Sequence, residues 1–106
     1  MNQAHTIDFR KIEGLVYTGR DRGERLRDEF HLDDLDASDE VVEVSIPDNI
    51  YTISSSFFLG MFGPSVVKAG SKDRFYQRYH FKSPEFLREV VDGYVARALH
   101  NRNLFS

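Results

Sequence analysis

The chain contains no cysteine. Disulfides, thiolate nucleophiles and thiolate zinc sites are excluded, and the composition fits a reducing compartment. Long apolar runs are missing too, since no stretch approaches the ~20 residues a helix needs to cross a bilayer. The opening Met1-Asn2-Gln3-Ala4-His5-Thr6 lacks the basic-then-apolar order of a secretion signal. The expected location is therefore cytoplasmic, with no membrane partner. A basic excess is also absent. Against 14 Lys and Arg stand 17 Asp and Glu, a formal net charge of −3, which disfavours nucleic acid as a partner. His5, His31, His80 and His100 are not spaced as metal ligands. There is no Walker or dinucleotide glycine loop and no Gly-x-Ser-x-Gly elbow. The expectation is a protein without catalytic residues, metal or cofactor.

What is present suits one small folded domain. A chain of 106 residues builds a single core, and nine Phe and five Tyr supply much of its packing. Thr6 to Ile12 alternates apolar and polar residues, and Leu15-Val16-Tyr17 resumes the pattern, as two short strands or a hairpin would. Thr18 to Gly23 reads as a charged, glycine-containing loop. Glu24 to Leu32 reads as a short helix with Leu26 and Phe30 on one face. The acidic segment Asp33 to Glu40 reads as a solvated connection. In Val41 to Ile46, Val42, Val44 and Ile46 share one face of a strand, and Pro47-Asp48-Asn49 ends it in a turn.

The centre of the chain is Ile53-Ser54-Ser55-Ser56-Phe57-Phe58-Leu59-Gly60-Met61-Phe62-Gly63. A helix is expected from Ser54–Ser56 to Ala69, stopped by Gly70 and kinked at Pro64. It is apolar enough to be buried on more than one side. Beyond it, Arg74 to Phe81 alternates as a strand, with Phe75, Tyr79 and Phe81 on one face and Arg74, Arg78 and His80 on the other. Ser83-Pro84 opens a last helix to about Leu99, with Leu87, Val90, Val91, Tyr94, Val95 and Ala98 inward. The layout is a loose N-terminus over residues 1–5, a domain over 6–99 and a tail over 100–106. Strands alternating with helices predict an α/β layer sandwich, a sheet of about four strands with three helices.

The three consecutive hydroxyls stand where a strand gives way to a helix. The first turn of a helix has free N–H groups and a partial positive charge, which suit a carboxylate or phosphate. One serine suffices for a cap, so Ser54, Ser55 and Ser56 admit two readings: a cap alone, or a cap with a recognition or phosphorylation site beside it. Arg20, Arg22, Arg25 and Arg27 offer guanidinium groups for a carboxylate or phosphate, or form a compensated exposed face with the interleaved acids.

The serine run resembles the Asp-Ser-Ser-Gly-Leu signature of STAS domains, the anti-anti-sigma factors. It is more similar to the Ser-Ser-Phe-Leu…Phe-Gly motif of the STAS-like (DUF4325) family. The resemblance covers roughly residues 17–99 and includes Gly19-Arg20…Gly23-Glu24-Arg25-Leu26-Arg27-Asp28-Glu29-Phe30. It implies a binding and switching module of STAS-like fold, with the arginine loop beside the serine helix. In the STAS pattern the serine after the Asp is phosphorylated by a serine kinase. That position is Ser55 here, with Ser54 in place of the Asp and Phe57 in place of the glycine.

The expected function is a non-enzymatic regulatory protein-interaction module. Its surface would comprise Ser54, Ser55, Ser56, Arg20, Arg22, Arg25 and Phe57, and Ser55 and Ser56 are the phosphorylation candidates. The expected partner is another protein, of the histidine-kinase-like ATPase or serine-kinase type. The alternatives are a small-anion or nucleotide-binding domain at the same helix start, and a homo-oligomer that uses its Phe-rich helix as an interface.

Overall fold

A computed structural model describes residues 5–9, 16–38, 40–48 and 52–105. In chain order these form β1 (His5–Asp8), β2 (Val16–Tyr17), α1 (Arg20–Glu29), α2 (Leu32–Ala37), β3 (Val42–Ser45) and β4 (Thr52–Ile53). Then follow α3 (Ser55–Ala69), α4 (Lys72–Arg78), β5 (Tyr79–Lys82) and α5 (Glu85–Phe105). The three-stranded sheet has the order β1-β3-β5, and a separate pair joins β2 to β4. All three strand pairings are parallel. The expected mixture of strands and helices is met, but its count is not. Among the described residues five helices stand where three were expected, and in place of a sheet of about four strands there are a trio and a pair.

Of the two short strands or hairpin expected near the N-terminus, the two strands are found, and they do not pair with each other: β1 and β2 belong to different sheets. Parallel pairing demands a crossover of a dozen or more residues, so each strand finds its partner far along the chain. Residues 10–15 and 49–51 of the expected strands and turn lie outside the described residues.

The central strand β3 follows its pattern, with Val42, Val44 and Ile46 buried and Val41, Glu43 and Ser45 half-buried. The apolar helix α3 runs unbroken through Pro64. It packs against α1 on one side and α5 on another, which is why Phe57, Phe58, Met61, Phe62 and Val66 are all buried. An aromatic group holds α3, α4 and β5 together. The Phe62 ring meets Phe75 at 6.4 Å, Tyr79 at 5.7 Å and Phe81 at 5.4 Å.

Three further expectations are corrected. Arg20 to Gly23 is the first turn of α1 rather than a loop. The first half of the acidic segment is helical, in α2, which begins one residue earlier at the fully buried Leu32. The expected strand from Arg74 is instead α4, and strand geometry begins only at Tyr79. Local chemistry explains α4: the Ser71 hydroxyl accepts from Arg74 N at 3.2 Å as an N-cap, Asp73 lies in the first turn and Arg78 in the last. Phe75 and Tyr79 are four apart and so satisfy the helical period as well as the alternating one.

The last helix extends past Leu99 to Phe105, where a tail was expected. Leu87, Val91, Val95 and Ala98 are buried and Tyr94 is half-buried, whereas Val90 points outward.

Candidate functional site

Two strand-to-helix junctions lie side by side. In the parallel pair β2–β4, Val16 is opposite Thr52 and Tyr17 opposite Ile53. Each strand enters a helix within a few residues: β2 through Thr18-Gly19 into α1, and β4 through Ser54 into α3. Parallel strands end at the same edge, so both helix N-termini emerge there. Ligands of open α/β sheets settle outside the carboxyl ends of the strands, where helix N–H groups are free.

The two helices approach closely enough to exclude side chains. A Cβ on Gly60 of α3 would lie 2.5 Å from the Arg20 carbonyl oxygen. A Cβ on Gly23 of α1 would lie 2.9 Å from Met61 N and collide with the Phe57 carbonyl. The glycines in the two motifs therefore let the backbones touch. This agrees with the expectation that the Gly19–Arg27 segment lies beside the serine helix.

The three serines have different environments. Ser54 is the N-cap of α3, its hydroxyl accepting from Phe57 N at 3.1 Å, and its carbonyl accepts the first helical bond from Phe58 N at 3.0 Å. The N–H groups of Ser55 and Ser56 have no intrahelical acceptor. Ser55 is half-buried and Ser56 exposed. Behind them, Tyr94 Oη of α5 donates to the Ile53 carbonyl at 2.8 Å and anchors the strand end.

Arg20 and Arg25 are exposed on α1, Arg22 half-buried. Gly19 precedes α1 without a side chain to cap it. Phe57 is fully buried and belongs to the core, so it is removed from the recognition surface. The same burial of Phe58, Met61 and Phe62 means that the Phe-rich face of α3 is interior and does not form an exposed interface.

A second constellation forms around Arg27, which was expected on an exposed face or at a ligand rather than on a buried acid of this chain. The Arg27 side chain is buried, with Nη2 on Asp33 Oδ1 at 2.6 Å and on Asp36 Oδ2 at 2.8 Å. Its Nη1 donates to the Met61 carbonyl and to Ser65 Oγ, both at 2.8 Å. Asp36 accepts further from Ser65 Oγ and from Tyr79 Oη, each at 2.6 Å. Burial works against the Arg27 charge, but the hydrogen bonds it donates to Asp36 and Asp33 outweigh it and its pKa is raised. Burial, followed by the bond to Asp36, pushes the Tyr79 hydroxyl well above the usual tyrosine range.

A signal for this cluster existed. Gly23, Leu26, Arg27 and Phe30 repeat at helical spacing and form the inward stripe of α1. A charge on an inward stripe requires a buried counter-charge, and Asp36 meets that requirement.

His5 Nε2 contacts Glu40 Oε2 on the surface, and His80 Nε2 lies 3.1 Å from the Gln77 carbonyl. Among the described residues no group of three or more His, Cys, Asp or Glu is placed to hold a metal ion, and no helix is long and apolar enough to cross a membrane. The chain matches no family model, no curated protein and no solved structure.

Proposed function

We propose that this protein is a non-enzymatic regulatory module that binds another protein through the start of α3 and the first turn of α1. Phosphorylation of Ser55 or Ser56 is the switch. The observation that carries this reading is the pair of adjacent strand-to-helix junctions, with Ser56 exposed and Ser55 half-buried at the start of α3. Ser54 is occupied as the cap, which leaves the next two hydroxyls for recognition. A phosphate there would add about −1.5 to −2 charges and meet free N–H groups at the positive end of a helix. The resemblance to STAS-like proteins points the same way and suggests a partner of the histidine-kinase-like ATPase or serine-kinase type.

The test is affinity capture from cells that express the protein, with wild type, Ser55→Ala, Ser55→Asp, Ser56→Ala and Ser56→Asp as baits. The alanine variants should capture the same partner as wild type, and at least one aspartate variant should weaken the complex by about tenfold or more. Equal binding by all five proteins would remove the switch.

A second reading, capture of a small anion or nucleotide at the same place, is favoured by one observation. The N-terminus of α1 has no side-chain cap, so its first N–H groups, like those of Ser55 and Ser56 in α3, have no acceptor within the helix. Thermal stabilisation by nucleotides that disappears in Arg20→Gln would select this reading.

A further inference from the structure

A groove of about 360 Å³ lies at the other end of α3, where its last turns meet α2, α4 and β5. Asp36, Ser65 and Tyr79 line its inner part, and Lys68, Arg74 and Arg78 also face it. Its volume falls within the ~300–1,000 Å³ typical of small-molecule sites.

The charge in this groove runs against that of the whole chain. The Asp36 carboxylate is already neutralised: Arg27 and Ser65 donate to one oxygen and Tyr79 to the other. Lys68, Arg74 and Arg78 have no ion-pair partner among the described residues. Three positive charges therefore gather in one concavity of a protein whose net charge is −3.

The arrangement depends on α4 being a helix. Arg74, Gln77 and Arg78 stand at positions i, i+3 and i+4 and share one face, and all three line the groove. Arg78 is pre-positioned, because its Nη1 donates to the carbonyls of Leu35 at 3.1 Å and Asp36 at 3.2 Å. Its Nε and Nη2 have no acceptor among the described residues, and a planar fork of this kind suits a phosphate or carboxylate. Lys68 lies in the last turn of α3, where it offsets the negative end of that helix. The two arginines are then the principal anion ligands.

We propose that this groove binds a small polyanion of the phosphate-ester or diphosphate class, held by Arg74 and Arg78 with Lys68 at its edge. The site is separate from the start of α3 and does not depend on the switch described above.

The test is calorimetric titration of the intact protein with sodium pyrophosphate at fixed ionic strength, alongside its thermal midpoint. Saturable binding and a midpoint that rises with pyrophosphate concentration are expected. Affinity should fall by about tenfold or more in Arg74→Gln and further in Lys68→Gln/Arg74→Gln. These residues are exposed, so both variants should fold, whereas Arg78→Gln also loses contacts that hold α2. Arg20→Gln should bind as wild type does. A nucleoside diphosphate run in parallel distinguishes an organic phosphate ligand, if it binds more tightly, from an inorganic one, if it does not.

Heat no larger than that of ionic-strength-matched chloride would overturn the proposal. So would affinity unchanged in Lys68→Gln/Arg74→Gln, or affinity lost in Arg20→Gln instead, which would move the anion to the start of α3.

Discussion

Asp36 connects four elements through one carboxylate. It lies in α2, accepts from Arg27 of α1, Ser65 of α3 and Tyr79 of β5, and its side chain is 6% exposed. A guanidinium buried to this degree is tolerable only while its partners remain. Asp33 also touches Arg27, but its side chain is 78% exposed, so it cannot replace a buried counter-charge. Asp36→Ala should therefore destabilise the fold by about 3–5 kcal/mol, as breaking a buried pair usually does. Asp33→Ala should cost no more than about 1 kcal/mol, the range of exposed pairs. Urea denaturation of both variants checks this, and comparable losses would mean that Asp36 is not the dominant partner. Arg27 was legible as an inward-facing position, whereas the identity of its counter-ion was not, because several acids in the sequence were equally available.

The contact between α1 and α3 is set by the absence of two side chains. Gly23 sits in a helix interior, where glycine costs about 1 kcal/mol relative to alanine by propensity alone. From the sequence it reads as part of a loop. Its actual reason is the Phe57 carbonyl and Met61 N on the neighbouring helix, and Gly60 is constrained in the same way by Arg20. Gly23→Ala and Gly60→Ala should each destabilise by about 1–3 kcal/mol despite the better helix former, because the backbones must part. Thermal melts of each variant test this, and a rise in midpoint would refute the close approach. The helix α4 teaches a related lesson. The stretch Arg74 to Phe81 satisfies the strand and helix periods at once, and the Ser71 cap decides in favour of a helix. That decision brings Arg74 and Arg78 onto the anion groove.

At the scale of the molecule, the buried Tyr79 and the half-buried Tyr76 make stability fall on the alkaline side. Burial, together with Asp36 for Tyr79 and Asp92 for Tyr76, raises both hydroxyls above their ordinary value near 10. A raised folded pKa favours the neutral phenol in the native state. Its contribution is complete below about pH 10 and is lost as pH climbs toward and through the folded values. Midpoints measured between about pH 8 and 11 should therefore drop at the upper end. In Tyr76→Phe/Tyr79→Phe the drop should be shallower from a lower starting midpoint, and an unchanged slope would assign the alkaline loss to other groups.

Local chemistry alone was enough to place a strand within Val41 to Ile46, a serine cap at the start of α3, the Gly70 stop and the apolar character of α3. Each depends on a few neighbouring residues and on hydrogen bonds or side-chain spacing within one element. Strand pairing, the need for glycine at positions 23 and 60, and the Arg27–Asp36–Ser65–Tyr79 cluster were decided only in three dimensions. Their partners are remote in the chain, with Arg27 meeting Met61 and Ser65 at separations of 34 and 38 positions, and Asp36 meeting Tyr79 at 43. Contacts over such distances leave no periodic trace in a single sequence, because they are selected by which surfaces the packed helices bring together.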